Sequence, residues 1–334
     1  MGAYMLDRST LFRILYALTA RDGREERLFG PNARLAYEAF DKSLVGDAFP
    51  EVWFELPLAG EPWLDLHALT SHEGLRPDTV FDSRTCGGCP EAFEWFASRG
   101  GEARQLALSW DTSTGVVDVP AIQLLVATDN PDVTCDFLAA IGRSDAMDDY
   151  RAFVGRLPKD WFACYAGSFA MRPDHHLRVE CIPNAKLQRR YATDPALLEK
   201  HLRQVGMTEL GDTIVPRCQM LADTPFKLEF QFDVMPGGVA GPTLGASLRF
   251  DCPPGAEDWG CFDPEGEAGE LMRQVEDWGL ADDRWRLLAE AMFAKRVARE
   301  DAFCKLYCFP AFVKLRWKHG APLDAKAYLL LSQE

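Results

Sequence analysis

Phe226-Lys227-Leu228-Glu229-Phe230-Gln231-Phe232-Asp233-Val234 alternates apolar and polar residues without a break. Successive side chains on a strand point to opposite faces, so this stretch predicts a strand with one greasy and one hydrophilic face. The greasy set is Phe226, Leu228, Phe230, Phe232 and Val234; the other is Lys227, Glu229, Gln231 and Asp233. A glycine-rich connection, Gly237-Gly238-Val239-Ala240-Gly241, leads into Leu244–Phe250, where Leu244, Ala246, Leu248 and Phe250 oppose Gly245, Ser247 and Arg249. The two runs read as a β-hairpin.

The same unit recurs to either side, five times in all, usually followed by helical sequence. Glu51–Leu58 pairs with Trp63–Thr70 before a helix near 91–97, and 104–110 pairs with 116–127 before helical runs at 133–141 and 145–154. Trp161–Ala170 pairs with His176–Ile182. The helix after it opens at Asp194-Pro195, an N-cap with a first-turn proline, and stops at Gly206. Helices at 267–278 and 282–297 follow the fourth hairpin, and 312–318 pairs with 325–331 in the fifth. Residues 1–45 read as a helical N-terminal segment, residues 46–331 as the five hairpin-helix units, and the whole of 1–334 as one domain.

Every strand pair carries one charged face. An open antiparallel sheet with helices on one side would leave that face in water. The sharper expectation is an α+β fold: a ten-stranded antiparallel barrel of five β-hairpins ringed by helices, with the charged face turned into a wide lumen.

Composition bounds the function. With 36 Lys plus Arg against 51 Asp plus Glu, the net charge is −15, which argues against nucleic acid and anionic membranes as partners. Aromatic content of 11% and hydrophobic content of 47% exclude disorder. No run approaches a membrane span, no signal peptide is legible, and ten scattered cysteines suit reduced thiols; a cytoplasmic location is expected. The acid excess falls mainly in turns and helices, while the inner strand face concentrates Arg and Lys.

That face carries His67, Arg178, Lys227, Arg249, Lys314, Arg316 and Lys326, with Glu51, Glu55, Asp65, Glu180 and Glu229. Arg and Lys from several strands suit a small polyanion such as a diphosphate, and a nearby Asp suits Mg²⁺ against it. Tryptophan and tyrosine on the same face, Trp53, Tyr165 and Tyr328, suit the shielding of a carbocation, because aromatic faces attract positive charge. An isolated carboxylate would serve as general base. The bland alternative for each basic residue is a cross-strand ion pair.

The layout over residues 45–331 resembles the ABBA, or prenyltransferase-barrel, family, most nearly its cyanobactin-type peptide prenyltransferases. Gly46-Asp47-Ala48-Phe49-Pro50-Glu51 is similar to the stretch leading to that family's base, and Ala166-Gly167, Arg172 and Leu177-Arg178-Val179 resemble its third hairpin. Trp63-Leu64-Asp65-Leu66 with Thr70-Ser71-His72 resembles the strand that bears an Mg²⁺-linked aspartate in the small-molecule branch. The resemblance implies Glu51 as base, Asp65 as the Mg²⁺ ligand, the basic set as the diphosphate site, and Trp53, Tyr165 and Tyr328 as the acceptor and prenyl pocket. It implies transfer of an isoprenyl group, dimethylallyl or longer, from its diphosphate to a side chain of a ribosomally derived peptide. A small phenol or indole acceptor is the alternative, and a non-catalytic barrel binding a lipid or peptide is the alternative of another class. His67 stands where the peptide branch has a basic residue.

Other signals carry less. Cys86-Gly87-Gly88-Cys89 is half a zinc site and lacks a thioredoxin setting; His175-His176 sits beside a turn. The Gly237–Gly241 run lacks the Lys-Ser/Thr of a P-loop, and no Asp-Asp-x-x-Asp occurs.

Overall fold

Period-two alternation governs most of the chain. The computed structural model describes residues 24–31, 33, 51–72, 90–111, 120–169, 176–250, 262–299 and 302–333. The short helix α1 (Arg24–Leu28) precedes β1 (Glu51–Pro57) and β2 (Asp65–Ser71). Next come α2 (Pro90–Ser98), β3 (Ala103–Trp110), β4 (Ala121–Val126), α3 (Pro131–Ala140) and α4 (Met147–Gly155). The third hairpin is β5 (Trp161–Ser168) and β6 (Leu177–Pro183), followed by α5 (Ala185–Thr193), α6 (Pro195–Gln204) and α7 (Ile214–Ala222). The fourth is β7 (Lys227–Met235) and β8 (Val239–Arg249), followed by α8 (Glu267–Asp277) and α9 (Leu287–Glu290). Three strands close the chain: β9 (Phe293–Arg299), β10 (Ala302–Lys318) and β11 (Ala321–Gln333).

Strands β1 to β8, β10 and β11 pair antiparallel in one ring, which closes where Glu51–Pro57 runs against 326–332. The expected ten-stranded barrel is therefore the fold. It forms because the apolar face of each strand needs a cover that the helices supply. Leu228, Phe230 and Phe232 point outward and are fully buried. Trp161 stacks on Phe230 at 5.1 Å, and Phe153 of α4 meets Phe232 at 5.7 Å. Leu271, Met272 and Val275 of α8 are buried in the same layer. A second, smaller apolar cluster lies inside the barrel, built on Trp53, Leu69, Ala107, Ala311 and Tyr328.

Helix α6 obeys its sequence signals. Asp194 Oδ1 accepts from Leu197 N at 3.0 Å as N-cap. At the other end Gly206, at φ 105°, lets Met207 N reach Leu202 O at 3.1 Å while Gly206 N reaches Arg203 O at 3.0 Å, the paired bonds of a glycine-terminated helix.

The structure corrects the expectation of a helix over 282–297. Only a 3₁₀ turn (Asp283–Arg286) and one turn of α-helix occupy its first part; Phe293–Arg299 is an eleventh strand, outside the ring. The reason is β10, whose 17 residues overrun the barrel. The backbone groups of its first half need a ladder on each side, and β9 provides one against Ala302–Cys308. Helices α5 and α7 were not foreseen. The expected features at residues 46–50, Cys86, Cys89, Arg172 and His175 lie outside the described residues, as do most of residues 1–45. No helix among the described residues is long and apolar enough to cross a membrane.

Candidate functional site

A cavity of about 250 Å³ opens into the barrel. Its wall brings together Glu51, Trp53, His67, Tyr165, Arg249, Lys314 and Tyr328 from the expected set. Exposure falls along it: the Lys227 and Arg249 side chains are 41% and 35% exposed, while Lys314 as a residue is 7% exposed. One end is therefore wet and the interior nearly dry.

One flank is aromatic. Phe312 stacks on Tyr328 with centroids 4.0 Å apart, Trp53 lies 5.3 Å from Phe312, and the Arg249 guanidinium sits 5.9 Å from both Trp53 and Phe312. These rings meet because Trp53, Tyr328 and Phe312 occupy inward positions on neighbouring strands; Phe312 pairs directly with Tyr328 and with Arg249. Trp53 Nε1 is buried without a hydrogen-bond partner among the described residues.

A polar chain runs beneath. Lys314 Nζ donates to Tyr328 Oη at 2.7 Å, and Tyr328 Oη donates to Glu55 Oε2 at 2.5 Å. His67 Nε2 lies 3.0 Å from the same carboxylate oxygen, which can only accept, so Nε2 carries a proton. His67 Nδ1 meets Ser109 Oγ at 2.5 Å, and Gln123 Nε2 donates to that hydroxyl at 2.5 Å. Lys326 Nζ donates to Glu55 Oε1. Burial alone would raise the Glu55 pKa, but Lys326, the bond from His67 and the more distant Lys314 outweigh it and hold the carboxyl well below its ordinary range. Burial pushes Lys314 down to about 8, against the pull of Glu55 and Glu180. Burial, then Glu55, pushes Tyr328 well up, so it stays a donor.

The expected diphosphate set divides in two. His67, Arg249 and Lys314 line the cavity, and Lys227, the cross-strand partner of Arg249, stands beside it. Arg178, Arg316 and Lys326 do not line it: Arg178 Nε meets Asp233 Oδ1 at 2.8 Å, Arg316 Nε meets Asp324 Oδ1 at 2.6 Å, and Lys326 is held by Glu55. For these three the cross-strand ion pair closes at hydrogen-bond distance, whereas Lys227 and Arg249 stand 3.4 and 3.6 Å from Glu229 Oε1. The inner face is thus ionically balanced rather than basic: Asp233 and Asp324 join Glu51, Glu55, Asp65, Glu180 and Glu229 on it. Arg104, not foreseen as a site residue, also lines the cavity together with its chain neighbour Gln105; strict alternation would put the two on opposite faces, and the register irregularity between Ala103 and Gln105 breaks it.

Asp65 does not reach the cavity. Its Oδ2 accepts from Trp63 Nε1 at 3.2 Å and lies 3.8 Å from Lys326 Nζ. A carboxylate already serving an indole N–H beside an ammonium does not fit a divalent-ion ligand, and no group of three or more His, Cys, Asp or Glu suited to a metal occurs among the described residues. Glu51 stands at the cavity and accepts from Gln105 Nε2 at 3.3 Å.

The opposite flank holds two carboxyl groups, Glu180 and Glu229. Gln231 Nε2 donates to Glu180 Oε2 at 3.1 Å, while Glu229 is 3% exposed and hydrogen-bonded to Glu180. Burial, then Glu180, pushes the Glu229 carboxyl up to about 8.

No family model matches the chain, and no curated protein matches it significantly. Among solved structures it is similar to the prenyltransferase PriB, determined as a ternary complex with L-tryptophan and dimethylallyl thiolodiphosphate. The TM-score is 0.50 at 12% identity, over 97% of this chain and 95% of PriB. Likeness at that identity speaks to architecture: the closed ten-stranded barrel ringed by helices is the prenyltransferase-barrel fold.

Proposed function

We propose that the chain is a prenyltransferase that moves an isoprenyl group from its diphosphate to a nucleophile held in the barrel. The observation that carries this reading is Lys314. It is a buried ammonium hydrogen-bonded to a phenol rather than paired with a carboxylate at contact distance, 4.6 Å from the Tyr328 ring centroid and 6.0 Å from that of Phe312. An anion beside Lys314 restores the solvation it lacks, and an allylic carbon among Trp53, Phe312 and Tyr328 meets ring faces that stabilise positive charge.

In this reading Lys314, Arg249 and Lys227 hold the diphosphate, with Arg104 at the wet end. The carbon–oxygen bond of the donor breaks, and the electron pair leaves with the diphosphate. The allylic carbon bonds the acceptor, and Glu51 takes the proton the acceptor loses. Tyr165 closes the far side of the acceptor pocket. His67 acts through Tyr328 and Glu55, fixing the hydroxyl that Lys314 leans on. No step is assigned to Asp65 or to a metal there.

A side chain of a ribosomally derived peptide is the first acceptor class, on the resemblance of the Glu51 strand to the cyanobactin-type branch. A small indole or phenol is the second, favoured by the L-tryptophan bound in PriB. The test is acceptor-dependent pyrophosphate release with dimethylallyl and longer diphosphates against peptides, indoles and phenols, with Mg²⁺ and with EDTA. Release with one acceptor class names it, and the EDTA arm reads the metal requirement expected from the sequence. No release with any pair, from protein shown folded by circular dichroism, overturns the catalytic reading and leaves a binding barrel.

A further inference from the structure

The acidic flank has no part in the chemistry above. Glu229 lines the cavity with its side chain 4% exposed, yet its Oε1 finds no hydrogen bond among the described residues. Lys227 Nζ and Arg249 Nη1 stand 3.4 and 3.6 Å from that oxygen, close enough for attraction and outside good hydrogen-bonding range. Ser247 Oγ is likewise buried and unbonded, and Ser247 is the cross-strand partner of both Glu229 and Lys314. An unsatisfied buried carboxylate oxygen is costly, and a wall built this way fits something that completes it.

We infer that Glu180 and Glu229 form a subsite for a protonated nitrogen of the acceptor, an ammonium or a guanidinium. The inference rests on the prenyl-transfer reading, because there the two nearby cations have other work: a diphosphate draws Lys227 and Arg249 towards itself. The two carboxyl groups, which share a hydrogen bond, are then left facing the cavity without compensation. A nitrogen cation on the acceptor satisfies Glu229 Oε1 and releases the proton the carboxyls hold between them. The acceptor is thereby set between its charged anchor on β6 and β7 and the aromatic flank on β1, β10 and β11, which aims its nucleophile across the cavity at the allylic carbon.

The groups facing Glu229 fix the pH dependence. They are Glu180 from β6, Cys164 and Tyr165 from β5, Arg249 from β8, Lys314 from β10 and Lys227 from its own strand. The Glu229 carboxyl, pushed up to about 8, loses its proton as pH rises through that value, while an alkylammonium keeps its own to about pH 10. Cation binding therefore tightens between pH 6 and 9.

The test compares matched probes by calorimetry, with and without dimethylallyl thiolodiphosphate: tryptamine against N-acetyltryptamine, tyramine against N-acetyltyramine, and N-acetyl-Trp-Arg against N-acetyl-Trp-citrulline. The expected result is at least tenfold tighter binding of each charged member, growing from pH 6 to 9 and enhanced by the donor analogue. In Glu229→Gln and Glu180→Gln the preference falls below twofold. Equal binding of charged and neutral probes by the unaltered protein overturns the inference, as does a preference that survives both substitutions. The pH series on the unaltered protein decides the matter even where a variant fails to fold: no strengthening towards pH 9 overturns it. If the donor analogue does not bind at all, the prenyl-transfer reading fails, and the amine measurements made without it still decide the subsite.

Discussion

Lys314 and Glu55 sit in one hydrogen-bonded chain, and both have lowered pKa values for opposite reasons. Lys314 is low because burial disfavours its charge; Glu55 is low because Lys326 and His67 more than compensate for burial. Their variants differ accordingly. Lys314→Met removes a buried charge that the fold supports only weakly, so stability should hardly fall while donor-analogue affinity drops ~10–100-fold, the scale of a charge-assisted hydrogen bond. In the unaltered protein that affinity declines as pH rises through about 8, where the ammonium discharges; calorimetry across pH 6.5 to 9.5 checks both, and a flat profile removes Lys314 from the donor site. Glu55→Gln leaves Lys326 with only the more distant Asp65, 3.8 Å away, and should cost ~3 kcal/mol at pH 7, the low end for breaking a buried pair. A carboxyl whose folded pKa is depressed stabilises the fold above its unfolded value and loses that contribution as pH falls through the folded one. The gap between variant and parent in urea melts should therefore narrow in acid. For Glu229 the sign is reversed: folding raises its pKa from 4.5 to about 8, so the folded state is penalised progressively as pH rises across that interval. Glu229→Gln should gain stability relative to the parent over the same window.

At the scale of elements, the hairpins were legible and their neighbours less so. Strand β7 announces itself because five apolar and four polar residues alternate across a layer that is covered on one side and hollow on the other. Phe230, on its outer face, should cost ~3–5 kcal/mol as Phe230→Ala, read as a lower urea midpoint, with donor-analogue affinity unchanged because the ring points away from the lumen. Strand β9 was illegible for a physical reason: Phe293-Ala294-Lys295-Arg296-Val297-Ala298-Arg299 has no apolar–polar alternation in sequence, and its backbone pairs as a strand where β10 outruns the barrel and offers it a ladder. Helix α5 was missed because Leu187 and Tyr191 are its only buried residues in a run of Lys, Gln and Arg. The site follows the same logic. Alternation within one strand says which side chains face inward, and Glu51, His67, Arg249 and Lys314, inward by that pattern, stand on the cavity wall. It cannot say which inward neighbours meet across strands. Register decides that Arg178 opposes Asp233, Arg316 opposes Asp324 and Glu180 opposes Gln231 beside Glu229. Three expected diphosphate ligands became ion pairs for that reason, and an acidic pair emerged that no single strand displays.

For the whole barrel the decisive contact is between its first and last strands. Strand β1 is bonded to β2 on one side and to β11 on the other, across some 270 residues of intervening chain. The lumen exists only when that seam closes, because Glu55 on β1 needs Lys326 and Tyr328 from β11, and the aromatic flank needs Trp53 from one end and Tyr328 from the other. Contacts of such sequence separation form late, since the loop they close must be ordered before the contact repays it. Until β11 docks, β1 and β10 both present open edges, and open edges recruit other chains. A chain ending at Gly320 should therefore lose more than a strand's share of stability. We expect soluble aggregates by size-exclusion chromatography with light scattering, strand content retained by circular dichroism, and no donor-analogue binding. Supplying residues 321–334 as a separate peptide should restore a monodisperse species and some binding, because the missing piece is one complete strand with a paired place on either side. A monomeric, cooperatively melting truncation that still binds the analogue would mean the barrel does not depend on its seam. The site would then have to be built from the remaining nine strands without Tyr328 or Lys326.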